Sequence, residues 1–141
     1  MQSFLLSTNI VGITIDSSQN IYVVDAHNKT IYQFNSEGRL TRQFGREGRG
    51  LGDFERINSI ELFDTQLYAF DNNQHRITIF DVSNGEVINT INVPPIDDIL
   101  PTRMIFLTEN NSIVEYRPSF NRYNLIENRY VESSLISIRA K

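Results

Sequence analysis

A chain of 141 residues is long enough for one domain with a real core. Its 40% hydrophobic and 21% charged residues are those of an ordinary soluble globular protein, and its net charge of −4 lacks the basic excess that marks a phosphate-tracking surface. The absence of cysteine excludes disulfides and thiolate metal sites and leaves the redox compartment open. No apolar run reaches the ~18–20 residues of a membrane span. The segment Met1-Gln2-Ser3-Phe4-Leu5-Leu6 lacks the basic region and long apolar stretch of a signal peptide and reads as a strand remnant. With neither signal peptide nor transmembrane segment visible in this chain, localisation stays unassigned.

In chain order, short apolar runs alternate with turn chemistry. After Ile13 and Ile15, the polar cluster Asp16 to Asn20 precedes a strand at Ile21–Asp25, and Ala26 to Lys29 turn the chain into Thr30–Phe34. Asn35-Ser36-Glu37-Gly38 then leads to Leu40–Phe44. A Gly-rich stretch, Gly45 to Phe54, ends this unit. The same succession returns as Leu67–Asp71, Arg76–Phe80, a turn at Gly85, and Val87–Ile91. Near the end, Leu135-Ile136-Ser137-Ile138 again suits a strand. Tyr, Ile, Val, Phe and Thr fill these runs, as a pleated, half-buried surface favours, and no 3.6-residue apolar period is sustained over a helical length. The class is all-β.

The succession is a repeat. Asp25 and Asp71, Ile31 and Ile77, and Phe34 and Phe80 are each 46 residues apart, while Gly38 and Gly85 slip by one, as a loop insertion allows. A fainter third copy keeps apolar residues at Ile105, Leu107, Ile113, Tyr123 and Ile126, but Arg117 stands where the first two copies have Asp. Four short strands per repeat of this length is the spacing of a β-propeller blade. A sandwich does not require self-similarity, and β-helix repeats are shorter. We therefore expect one domain over 1–141, a partial or half propeller of about three four-stranded antiparallel meanders, with blades near 10–45, 56–91 and 102–139.

These residues resemble the NHL repeat: a strand, an Asp, a polar turn with an Asn-His-Arg-Ile core, an aromatic and a turn Gly. The second blade carries it as Asp71-Asn72-Asn73-Gln74-His75-Arg76-Ile77-Thr78-Ile79-Phe80, and the first as the variant Asp25 to Phe34. The link Phe44 to Phe54 is similar to the linkers of bacterial six-bladed propellers of this group. The resemblance implies a six-bladed ring, which about three repeats would only half fill. Two completions follow: a longer parent chain, or a homodimer of two half rings. Phe4-Leu5-Leu6 is a candidate to complete the blade that holds Leu135 to Ile138.

Asp25 and Asp71 stand where a strand enters a turn and suit backbone N–H acceptance, a structural role. The glycines of the link suit a crossing that needs positive φ; a phosphate loop would need a following helix and a fixed lysine. In a four-stranded meander the turn between the second and third strands shares a face with the link to the next blade. Loops on a rigid scaffold commonly carry function, and this face offers His27, Asn28, Arg46, Arg49, Asn73, His75, Asp97 and Asp98. Each has an ordinary reading. The histidines suit exposed turns as well as ligands. The link arginines Arg46, Arg49 and Arg56 are interleaved with Glu47, Asp53 and Glu55, as in a solvated linker, and Asp97-Asp98 lacks a clear further ligand set for a metal. Tyr22, Tyr32 and Tyr68 fit packing better than base stacking.

For function, an interaction scaffold without catalysis, cofactor or metal, binding a protein or small molecule of unknown identity, is favoured over two alternatives. Some propellers resembling this chain are metal-dependent hydrolases or lyases, with ligands converging on the central channel. Glu61 is the one acid placed in a first strand, with Thr14 and Phe106 as its equivalents, and no Ser-His-Asp set is apparent. RNA binding, known for some NHL proteins, is disfavoured by the acidic balance.

Overall fold

β-Branched and aromatic residues form the strands, and Asp, Asn and Gly form the corners between them. The computed structural model describes residues 9–95, and beyond them the strands at 100–108, 111–117, 123–124, 129–130 and 134–139. In the first sheet β1 (Ile10–Ile15), β2 (Ile21–Asp25), β3 (Thr30–Phe34) and β4 (Leu40–Phe44) pair in chain order, all antiparallel. The second sheet repeats this with β5 (Ile57–Phe63), β6 (Gln66–Asp71), β7 (Arg76–Asp81) and β8 (Val87–Asn92). The match extends to irregularities. Each sheet shifts register near the start of its first strand, at Ile10/Gly12 and Ile57/Ser59, and again between its third and fourth strands, at Gln33/Phe34 and Ile79/Phe80. Leu40 pairs with Phe34 and Val87 with Phe80, so the one-residue slip is an insertion in the turn before β8.

Strand alternation gives every blade two faces. In the first blade Tyr22, Val24, Ile31 and Phe44 share one of them, here called the rear face, and all four are buried. They pack against Ile60, Leu67, Ala69 and Phe80 on the front face of the second blade, with Phe54 and Ile57 completing the cluster. The ring of Phe44 meets that of Phe80 edge-on at 5.3 Å and 66°, and Phe54 lies 6.0 Å from Phe80. Innermost strands lie side by side: β5 contacts β1 on one side and β9 (Leu100–Thr108) on the other. At Gly12 on β1, an added Cβ would stand 3.3 Å from Val24 and 3.8 Å from Ile60, the closeness with which the two blades meet. The second blade's rear face, with Tyr68, Phe70, Ile77 and Ile91, is buried in the same way.

The third sheet has the order β9, β10 (Asn111–Arg117), β13 (Ser134–Arg139), so three strands are described in it. Its third position corrects the sequence expectation. A strict 92-residue offset assigns that place to Tyr123 and Ile126. Tyr123 instead belongs to β11 (Tyr123–Asn124), which pairs with β12 (Arg129–Tyr130) as a separate hairpin, and Ile126 lies outside the described residues. The strand beside β10 is β13, which contains Leu135 to Ile138. Ile113 also pairs with Ile105 rather than with Leu107, a two-residue displacement that preserves the face because side chains alternate with period two. Phe4, Leu5 and Leu6 lie outside the described residues.

The end of the blades away from the links is held by polar bonds. Asp16 accepts from the Ser18 and Asn20 amides, the Asn20 side chain and the Tyr22 hydroxyl, at 2.8–3.0 Å. Tyr22 also accepts from Gln33 at 3.2 Å. Burial pushes the Asp16 carboxyl up, but the bonds from Asn20, Tyr22 and Ser18 outweigh it and leave its pKa lowered. Burial, and then the Asp16 carboxylate, push the Tyr22 phenol up. A carboxyl with lowered folded-state pKa contributes stability above its unfolded pKa and loses it as pH falls through the folded value. Asp16→Asn should therefore flatten the acid limb of a stability–pH curve below about pH 4, with urea midpoints from pH 2 to 7 as the check. Arg42 on β4 clamps the blades together, donating to the Asn84 carbonyl at 2.6 Å and the Ser83 carbonyl at 3.1 Å in the second blade's last turn. Because this clamp is exposed, Arg42→Ala should cost only about 1 kcal/mol in urea unfolding.

Candidate binding face at the blade links

The link and the neighbouring turn are built as one piece. Residues 45–56 leave β4 and fold back on themselves: the Phe54 amide donates to the Arg46 carbonyl at 2.8 Å, and the Gly48 amide to the Phe54 carbonyl at 3.1 Å. The second blade then grips the link through three side chains. Asp71, fully buried, accepts with Oδ1 from the Asn73 and Gln74 amides of its own turn, at 2.9 and 3.0 Å. Its Oδ2 accepts from the Glu55 and Arg56 amides of the link, at 2.7 and 3.2 Å, and from Gln74 Nε2 at 2.9 Å. Gln74 Nε2 shares its hydrogens with the Gly48 and Asp53 carbonyls at 3.1 Å. Arg76 Nη2 donates to the carbonyls of Gly50 and Asp53, at 3.0 and 2.8 Å.

The first blade has the counterpart. Asp25, fully buried, accepts from the His27 and Asn28 amides at 3.1 Å and from Asn28 Nδ2 at 2.9 Å. Upstream, the Ala26 amide bonds the Asn9 carbonyl at 3.0 Å. Each turn closes on a left-handed residue, Lys29 at φ +54° and His75 at φ +52°. Thus the two histidines hold different places in equivalent turns: His27 corresponds to Asn73, and His75 to Lys29.

The candidate residues divide accordingly. His27, Asn28 and Asn73 stand at the surface while their backbones are fixed by the turn aspartates. Arg46 and Arg49 stand outward with side chains 83% and 81% exposed, each tethered through Nε to a carboxylate beneath it: Arg46 to Asp53 at 3.3 Å, Arg49 to Glu55 at 2.6 Å. The Glu55 bond holds the Arg49 guanidinium pKa above its ordinary value. His75 is half-buried, its Nδ1 buried without a hydrogen-bond partner and its carbonyl accepting from the Val93 amide at 2.7 Å. Asp97 and Asp98 lie outside the described residues. Among the described residues no three His, Asp or Glu side chains gather as a metal site, and no helix is long and apolar enough to cross a membrane.

Sequence reasoning passed over Gln74 and Arg76 as braces of the link, although both lie within the repeat motif. It also passed over Leu51, 73% exposed in the link. The signal was present, an apolar residue set between Gly50 and Gly52.

With two consecutive four-stranded meanders stacked rear face to front face, the architecture is a run of propeller blades. The family model that matches residues 3–136 describes a six-bladed β-propeller, DUF5128. The chain belongs to this family. Comparison with curated protein sequences gives no match. Among solved structures, a candidate exported protein from Bacteroides fragilis superposes with a TM-score of 0.69 at 16% identity, over 97% of this chain and 36% of that one. A protein of unknown function from Bacteroides caccae gives 0.61 at 11% identity, over 90% and 44%. Virginiamycin B lyase from Staphylococcus aureus gives 0.57 at 12% identity, over 79% and 39%. At these identities the likeness is one of fold, and the chain spans less than half the length of each.

Proposed function

We propose that this propeller is a binding scaffold whose ligand, a protein segment or a small molecule, is met on the link-and-turn face, in a ring completed by further NHL-type blades from a second copy or from a longer chain. The observation that carries this reading is the brace centred on Asp71: one buried carboxylate ties the turn and the link of adjacent blades together. A surface whose backbone is fixed in advance loses little conformational entropy when a ligand arrives. His27, Asn28, Asn73, Arg46, Arg49 and Leu51 are then displayed from a rigid floor. Among the described residues, the opposite end presents the short turns at 16–20, 35–39, 64–65 and 82–86.

The test is a panel of small-molecule fragments and short peptides titrated into isotope-labelled protein, with amide chemical shifts as the readout. Perturbations should cluster on residues 26–29, 46–56 and 72–75. Clustering on residues 16–20, 35–39 and 82–86 instead would overturn the reading. Turnover of a ligand at the link face would favour a lyase- or hydrolase-type relative, and salt-sensitive RNA binding would favour a nucleic-acid partner.

A further inference from the structure

The last turn of the second blade carries a reactive pair. Asn84-Gly85 is the one Asn-Gly pair in the chain, and it lies between β7 and β8, at the end of the blade away from the links. Glycine has no Cβ to keep its main-chain nitrogen from the side-chain amide that precedes it, so an asparagine in this pair is the readiest to deamidate. Asn84 is exposed, and water, the co-reactant, reaches it. The fold also requires the glycine. Gly85 stands at φ +79°, in the left-handed region, and an added Cβ would lie 2.6 Å from Arg42 Nη1 and 3.0 Å from Arg42 Cδ. The clamp between the blades thus lies directly on the reactive pair.

Hydrogen bonds in the turn activate the amide and restrain it. The Glu86 amide donates to Asn84 Oδ1 at 2.9 Å and draws charge from Cγ, as an oxyanion donor does. The Gly85 amide, which is the nucleophile once its proton is lost, is committed to the Asp81 carbonyl at 2.7 Å. Arg42 holds the main-chain carbonyls of Asn84 and Ser83, at 2.6 and 3.1 Å, so the backbone cannot turn freely to bring the Gly85 nitrogen onto Cγ. We propose that Asn84 is a self-modification site whose rate is set by the Arg42 clamp across the blade seam. In the reaction Gly85 N bonds to Asn84 Cγ, the Cγ–Nδ2 bond breaks, and ammonia leaves with the Gly85 proton. Water then opens the cyclic imide, at Cγ to give aspartate or at the main-chain carbonyl carbon to give isoaspartate. Nothing beyond water is consumed, and the new carboxylate is a lasting mark of each opening of the seam that led to reaction. The site is independent of the ligand face, which lies at the other end of the blades.

The test is ageing of the 141-residue chain at mildly alkaline pH, with aspartate and isoaspartate at position 84 read by peptide mapping. The chain unfolded in urea should convert fastest and the native chain slowest. Arg42→Ala should keep the β-sheet circular dichroism and convert about fivefold faster than the native chain or more, because losing one exposed clamp enlarges the open population by about that factor. Arg39→Ala removes another exposed arginine at the same end, one that pairs with Glu37, and should leave the native rate unchanged. Conversion of Arg42→Ala at the native rate, equal acceleration by Arg39→Ala, earlier conversion at another asparagine, or aspartate without isoaspartate would each overturn the proposal.

Discussion

Asp71→Ala should lower the unfolding free energy by about 3–4 kcal/mol, more than any substitution on the exposed part of the link face. Five donors converge on this one carboxylate, four of them backbone amides, and two of those belong to the link from the preceding blade. Removing the acceptor leaves part-buried N–H groups without a partner or forces the link to lift toward water, at about 1–3 kcal/mol for each group left unsatisfied and buried. Partial lifting of the link limits the sum. Asp71→Asn should cost less, because one carbonyl oxygen still accepts, although its amide hydrogens then oppose N–H donors. Asn73→Ala, two residues on, should stay within about 0.5 kcal/mol, since that side chain stands at the surface and its backbone N–H retains Asp71. Urea unfolding of the three variants under one set of conditions decides the matter. A loss below about 1 kcal/mol for Asp71→Ala would mean that the link is held by packing, and the preorganised floor of the ligand face would lose its support.

That role of Asp71 was half visible in the sequence. An Asp at the end of a strand and 46 residues after another Asp announces a turn acceptor, and the turn bonds to Asn73 and Gln74 are of that kind. The bonds to Glu55 and Arg56 were not visible, because they join segments 15–16 residues apart whose meeting depends on how the link folds back. The same holds for Gln74 and Arg76, whose carbonyl partners lie 21–26 residues upstream. Local chemistry, repeated at a fixed spacing, is readable from residue types alone. A long-range backbone acceptor leaves no residue signature. The third blade shows the other limit. Its first two strands keep the period closely enough to be found, but the hairpin of β11 and β12 is inserted before the strand that pairs with β10, and a fixed offset cannot anticipate an insertion. The mixed charge of the link was legible as composition. The individual pairs Arg46–Asp53 and Arg49–Glu55 needed the fold.

The second large effect joins Gly45 to Phe54. Gly45 follows β4 at φ +77°, a left-handed backbone that costs an L-residue roughly 1 kcal/mol or more. An added Cβ would also clash with ring atoms of Phe54 and stand 3.0 Å from the Gly52 carbonyl oxygen. Phe54 cannot easily yield, being fully buried against Phe80 in the core between the blades. Gly45→Ala should therefore cost about 3 kcal/mol, the backbone penalty plus overpacking. Phe54→Ala should cost about 3–5 kcal/mol through the cavity it leaves. The informative measurement is the double variant, Gly45→Ala/Phe54→Ala. With the ring gone, the methyl group introduced at position 45 has room, and only the backbone penalty and the Gly52 oxygen contact oppose it. The pair should thus be less destabilised than the sum of the singles by about 1–2 kcal/mol. Strict additivity would show that the strain at Gly45 is backbone alone and that the aromatic plug is not what fixes the exit of the link from the first blade. A positive coupling identifies the plug as the point where the link's path is set, and with it the position of Arg46, Arg49 and Leu51 on the ligand face.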